Sequence, residues 1–205
     1  MVTTVTAELA KPLDWITNEK PSWIDHTDHT WMVLPDDGHH YEVINGSLKD
    51  RGLSGALHGY VCSLLLSALM NYVFAHKLGV MLDSSTAFKM KNGNKRSPDL
   101  AFFAKERLQG LTQLPNSFLE GAPDLAVEVL SPGNTYEEID DKITEYFDNG
   151  CRLIWVINPS QHYVLVYSST LEPDRLLKSE DQLDGGEVIP GFQYSVAQLF
   201  QPLSF

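Results

Sequence analysis

The clearest periodicity in the chain lies between residues 136 and 149. Tyr136, Ile139, Ile143, Tyr146 and Phe147 recur at helical spacing, the mark of a helix with one apolar stripe. Thr135 stands where an N-cap belongs, Glu137 and Glu138 fill the first turn, and Gly150 closes the segment. Cap and acidic start both suit the unpaired N–H groups at a helix N-terminus. A second helix is expected from Ala56 to His76, followed by a stop at Lys77-Leu78-Gly79. Its apolar residues crowd both faces, so it should lie deep in the fold. The apolar run inside it, Val61 to Ala75, contains Ser63, Ser67 and Asn71. It is short of the ~20 residues that span a bilayer, so a buried helix is expected and no membrane association.

The remaining apolar runs are shorter and read as strands. Tyr41 to Asp50, YEVINGSLKD, places two short runs around Asn45-Gly46, the pair that favours a type I′ hairpin turn. Residues 80–90 and 96–104 are strand-like and flank the turn KNGNK, and a short helix follows from Lys105 to Leu108. Residues 110–122 form a loop. Asp124 to Leu130, DLAVEVL, reads as a buried strand ended by Ser131-Pro132-Gly133. RLIWVIN and YVLVYSS are two more strands, joined through Asn158-Pro159, with a short strand near Glu187 to Ile189 and a last turn around Val196 to Phe200. Helices alternating with strands give an α/β (α+β) domain around one central sheet. Residues 1–38 hold Pro12, Pro21, Pro35 and three tryptophans and read as an arm, leaving 39–205 as the domain. His26 and His29 in that arm have no further ligand clustered with them, so a surface arm packed by Trp15, Trp23 and Trp31 is expected rather than a metal pair.

Composition narrows the function classes. The 205 residues are 43% hydrophobic and 20% charged, which is globular usage and excludes disorder and coiled coil. Asp and Glu number 27 against 15 Lys and Arg, a net charge of -12. Such a protein does not bind nucleic acid through bulk charge; it needs a local basic patch or a metal ion between its carboxylates and the phosphates. The two cysteines, Cys62 and Cys151, are in no metal-ligand spacing and read as free thiols in a reducing cytoplasm. The first residues carry no basic start and no apolar stretch of the secretory kind.

The candidate chemistry sits in strands that should be buried. In RSPDLAFF, alternation puts Asp99 on the face of Ala101 and Phe103; in PDLAVEVL it puts Glu128 with Ala126 and Leu130. A carboxylate in such a strand is costly unless it is paired, hydrogen-bonded or bound to a cation. Asp124 and Glu128 share one strand and stand about 13 Å apart, too far to share an ion. Asp124 therefore reads as a turn or capping residue. Asp99 and Glu128 come from different strands and can converge if those strands are neighbours at ~4.8 Å. Two carboxylates and a carbonyl suit Mg²⁺, which keeps several waters. Lys142 flanks the buried face of the helix after Glu128. It either reaches over the sheet end toward that carboxylate or forms a surface pair with Glu138 at i,i+4. Glu42 begins a hairpin strand and joins the site only if the hairpin packs over it; otherwise it marks an exposed strand face. From Lys89 to Arg107, six basic side chains stand against Asp99 and Glu106, a net of +4. That stretch is either a phosphate-facing surface next to Asp99 or a solvated turn.

The ordered set YEVING, LHG at a helix start, RSPDLAFF, PDLAVEVLSP, DKITEYFDNG, RLIWVINP and GGEVIPGF resembles the Uma family of restriction endonucleases, within the PD-(D/E)XK nuclease superfamily, over about Tyr41 to Phe200. The resemblance implies a restriction-endonuclease-like core, a central mixed sheet flanked by helices, and a metal-dependent DNA endonuclease. It maps the metal-binding residues to Asp99 and Glu128, with the Val129 carbonyl as a further ligand and Mg²⁺ or Mn²⁺ as cofactor. The superfamily lysine normally lies two residues after the Glu; here that place is Leu130, and the matching lysine is Lys142. Glu42 matches the glutamate of the family's first hairpin. Lys95 and Arg96 would face the substrate. His58 matches a family position at the helix start, as a capping or packing residue or as a substrate contact. DNA is the implied partner, and cutting both strands implies a homodimer. The rival reading is a degenerate nuclease fold acting by DNA or protein binding.

Overall fold

The structure, a computed structural model, describes residues 41–204. The expected arm, with His26, His29 and its tryptophans, lies outside the described residues. The chain opens with a hairpin, β1 (Tyr41–Ile44) and β2 (Ser47–Asp50). Asn45 and Gly46 both take positive φ, 50° and 74°, as a type I′ turn requires. Helix α1 (Ala56–His76) follows and ends on Lys77 in the left-handed conformation. Then come β3 (Gly79–Asp83), β4 (Phe88–Lys89), β5 (Lys95–Arg96), β6 (Leu100–Ala104), a 3₁₀ turn (Lys105–Leu108), β7 (Leu119–Glu120) and β8 (Leu125–Val129). Helix α2 (Tyr136–Asp148) leads into β9 (Leu153–Asn158), β10 (Tyr163–Tyr167), β11 (Arg175–Leu177), β12 (Gln182–Asp184), β13 (Gln193–Ser195) and a last short helix, α3 (Val196–Leu199).

Six strands form the central sheet in the order β11-β10-β9-β8-β6-β3. It is mixed: β8 and β9 run parallel, while β6 pairs antiparallel with both β8 and β3. The parallel pair needs a crossover, and α2 is that crossover. Alternation along the strands sorts the core into two layers. Leu100, Phe102, Leu125, Val127 and Trp155 pack with α1 and the C-terminal segment. Ala101, Phe103, Ala126, Ile154 and Val156 pack with Ile143 and Tyr146 of α2. The central mixed sheet flanked by helices is as expected.

Besides the unexpected strands β11, β12 and β13, the last two a small sheet of their own, three features differ from the sequence reading. There is a second, five-stranded sheet, β2-β1-β5-β4-β7, and it carries Glu42 and Arg96. Helix α1 is not enclosed on all sides. Val61, Leu65, Leu69 and Val73, four residues apart, are buried, whereas Phe74 is 83% and Leu57 53% exposed. By length and composition α1 could cross a membrane; here one stripe of it packs on the central sheet. Residues 187–189 form a turn rather than a strand, because the amides of Val188 and Ile189 both donate to the Gly185 carbonyl. A Cβ at Gly185 would lie 2.4 Å from the Ile189 carbonyl oxygen, so the turn needs glycine there.

Candidate active site

Asp99 precedes β6 and Glu128 lies within β8. These strands are neighbours, with Leu100 opposite Val127 and Ala101 opposite Ala126. One further step in that register sets Asp99 opposite Glu128. Both carboxylates are buried, at 5% and 2% exposure. Asp99 Oδ2 accepts from the Val129 amide at 2.7 Å and has His58 Nε2 at 3.1 Å. The burial of Asp99 pushes its carboxyl up. The His58 hydrogen bond and charge, the Arg51 charge and the Val129 amide outweigh that and hold it below the usual range. It is a carboxylate and accepts only, so His58 Nε2 carries the proton in this contact.

Helix α2 supplies the next two groups. The Thr135 hydroxyl accepts from the Glu138 amide and the Glu138 side chain accepts from the Thr135 amide, a complete capping box. That box fixes where the helix starts, and Lys142 and Tyr146, one turn apart, then face the sheet. Lys142 Nζ donates to Glu128 Oε2 at 2.7 Å and the Tyr146 hydroxyl donates to Glu128 Oε1 at 2.7 Å. The open choice for Lys142 is thereby resolved: it reaches Glu128, while Glu138 pairs with Lys49 of the hairpin. Burial, the Glu128 and Glu42 charges and that hydrogen bond raise Tyr146 well above its ordinary value, so the hydroxyl stays a donor.

The hairpin brings Glu42 over the same place. Glu42 Oε1 accepts from the Ser97 amide at 3.1 Å and lies 3.8 Å from Lys142 Nζ. Arg51, the first residue after β2, enters from the hairpin end. Its guanidinium is 3.3 Å from Glu42, 3.8 Å from Asp99 Oδ1 and 3.7 Å from Glu128 Oε2, and donates to the Ser97 carbonyl. Burial lowers the Arg51 pKa, but Glu128, Glu42 and Asp99 more than offset that and raise it. Sequence reasoning missed both Arg51 and Tyr146. Tyr146 carried a signal, since it lies four residues after Lys142; Arg51, in a glycine-flanked loop, carried none.

Asp99, Glu42, Lys142, Arg51, His58 and Arg96 all border one cavity of about 1070 Å³. Val129 borders it too. The two basic residues expected to face a substrate part company. Arg96 is tied to Glu145 and lies 3.5 Å from Glu42. Lys95 is buried with its ammonium 4.6 Å over the Phe118 ring, and it is not among the cavity's lining residues. Much of the +4 stretch is likewise engaged internally: Lys89 with Glu120, Lys91 with the Asp148 carbonyl, Arg107 with Asp124 and the Ala122 carbonyl. Asp124 is not a cap. It is buried and accepts from the Ala104 amide and from Arg152, bracketing the far ends of β6 and β8. Cys62 and Cys151 are free. Cys62 Sγ lies 3.6 Å from His58 Nδ1, and burial with the Asp99 and Glu128 charges pushes its thiol up to about 12.

Asp99, Glu128, Glu42 and Glu145 are four carboxylates met by three cations, Arg51, Lys142 and Arg96. The balance is short of positive charge, and the donors are hard oxygens, the set that suits Mg²⁺ or Mn²⁺. The Arg51 guanidinium already stands as a cation among them. The residues present fit a divalent ion.

A mixed sheet flanked by helices, with acidic side chains gathered near the ends of two adjacent strands, is the restriction-endonuclease-like class of fold. Residues 29–197 match the family Uma2, described as "Putative restriction endonuclease", and the chain belongs to that family. Among solved structures it is similar to a protein of Anabaena variabilis described as a putative nuclease belonging to DUF820. The TM-score is 0.71 at 20% sequence identity, covering 82% of this chain and 93% of that one. That likeness is one of fold. No curated protein matches the chain.

Proposed function

We propose that the protein is a divalent-metal-dependent DNA endonuclease. The reading rests on one observation: in a chain of this family, Asp99 and Lys142 line one cavity, and buried Glu128 is bound by Lys142 and shares the Arg51 guanidinium with Asp99. Asp99 and Glu128 would hold Mg²⁺ or Mn²⁺, with the Val129 carbonyl as a further oxygen ligand. Such an ion polarises a phosphodiester and lowers the pKa of bound water. The chain's own residues do the rest. Tyr146 and Lys142 fix both oxygens of Glu128, and the Val129 amide and His58 fix Asp99 Oδ2. Orientation of this kind is what a preorganised site needs. The Lys142 ammonium is the donor placed to orient a water or to meet charge on a phosphate oxygen. Glu42 faces Lys142 and Arg51 and keeps both charged groups turned inward. With an acidic net charge, approach of a polyanionic substrate to these carboxylates would be helped by a bound cation and by the basic side chains that line the cavity.

The test is nicking of supercoiled plasmid with Mg²⁺ or Mn²⁺. Asp99→Asn, Glu128→Gln and Lys142→Met are each expected to slow it at least about 10²-fold. Nicking that persists in all three variants would assign the activity to a contaminant. A wild-type protein that binds duplex DNA and never cuts it would instead support the degenerate, binding-only reading.

A further inference from the structure

We propose that Arg51 is the resident counter-cation of the carboxylate cluster, and that a divalent ion enters by displacing it. This rests on the metal-site reading above and adds to it a residue and an order of events. The oxygen inventory carries the inference. Asp99 Oδ2 is taken by the Val129 amide and His58, and Glu128 Oε1 by the Tyr146 hydroxyl. Of the remaining oxygens, Glu128 Oε2 accepts from Lys142 Nζ at 2.7 Å, and Arg51 Nη2 lies almost equally far from it and from Asp99 Oδ1, at 3.7 and 3.8 Å. The two Arg51 separations are charge contacts and too long for hydrogen bonds. The guanidinium's closer partners, the Ser97 carbonyl and Glu42, are on its other nitrogen. Arg51 therefore neutralises the pair without coordinating it, and loses little directional bonding with them when it leaves.

A +2 ion and a guanidinium cannot share this place, because like charges that close repel strongly where water is scarce. An exit is built in. Arg51 begins the irregular segment 51–55 between β2 and α1, with glycine at 52 and 55, and Gly52 takes φ +65° with open space around it. The segment lines the cavity, and Arg51 is 20% exposed at the side chain. Displaced Arg51 remains in the cavity as a fork suited to a phosphate.

The experiment measures Mn²⁺ binding to the full chain by electron paramagnetic resonance, with no nucleic acid present. Arg51→Gln and Arg51→Met are expected to bind Mn²⁺ at least about tenfold more tightly than wild type. Arg51→Lys, which keeps the charge, should stay near wild type, and Asp99→Asn should abolish binding. Equal or weaker binding by both neutral variants, with Asp99→Asn still abolishing it, overturns the exchange and leaves the metal site standing. Absence of Mn²⁺ binding in wild type and all Arg51 variants overturns both. A second readout uses wild type alone, so it does not depend on the variants folding. Mn²⁺ should accelerate tryptic cleavage after Arg51, and unchanged or slower cleavage in a protein that binds Mn²⁺ counts against displacement.

Discussion

Asp99 is held by the Val129 amide, His58 and Arg51, and its electrostatics give a stability signature independent of catalysis. Its folded pKa lies below that of the unfolded chain, ~3.9, despite burial, because His58, Arg51 and the Val129 amide favour the charge. The folded state therefore binds fewer protons in acid than the unfolded state. The stabilisation is complete above the unfolded pKa and is lost as pH falls through the folded one. Thermal unfolding followed from pH 6 to pH 2 should show the wild-type midpoint falling more steeply below about pH 4 than that of Asp99→Asn. Parallel curves would show that the charge state of Asp99 contributes nothing to folding. The same residue shows what single positions tell a reader of the sequence. A carboxylate in an apolar strand announces that it has a partner, but the partners are distant in the chain: His58 and Arg51 before it and the Val129 amide, 30 residues on, after it. His58 could be noticed for its place at a helix start. Nothing in KDRGLSG marks Arg51 as more than a loop residue, because its role comes entirely from where the hairpin lands.

At the scale of elements, α2 does the positioning. Its capping box and acidic first turn were legible in Thr135, Glu137 and Glu138, because capping is local chemistry between residues three apart. Which face its lysine used was not legible: i,i+4 spacing offered Glu138, and only the sheet beneath offered Glu128. Thr135→Ala should destabilise the protein by about 1 kcal/mol in urea unfolding. A loss well below that would mean that the packing of Ile143 and Tyr146, rather than the cap, sets the helix. Helix α1 illustrates the converse. Apolar residues on both faces signalled enclosure, yet only the Val61-Leu65-Leu69-Val73 stripe is fully buried, with Cys62, Leu66, Ala68 and Tyr72 partly so beside it. Hydrophobicity at a position records a tendency to be buried, while actual burial depends on what the fold supplies to cover it.

For the molecule as a whole, the proposed reaction sets a geometric demand. Cutting both strands of a duplex calls for two sites related by a two-fold axis, so a homodimer is part of the proposal. Light scattering after size exclusion should give twice the 23.0 kDa chain mass at micromolar concentration. A monomer under those conditions would restrict the protein to nicking one strand at a time. The bulk charge of -12 is also a property of the whole, and the positive stretch from Lys89 to Arg107 does not reverse it locally, since several of its members are engaged in internal pairs. Approach of a polyanion would then rest on the cations gathered in the cavity.

The sequence by itself determined the helices, most strands, the hairpin turn and the two buried carboxylates. Each follows from interactions between residues close in the chain or from the cost of burying a charge. The tertiary structure alone decided that β6 and β8 are neighbours, that Lys142 turns to Glu128 and that Lys95 turns away to Phe118. It alone set Arg51 among three carboxylates. Those outcomes depend on strand order and on how a hairpin and two helices pack over one sheet end, and such long-range pairing leaves no periodic trace in the chain that folds into it.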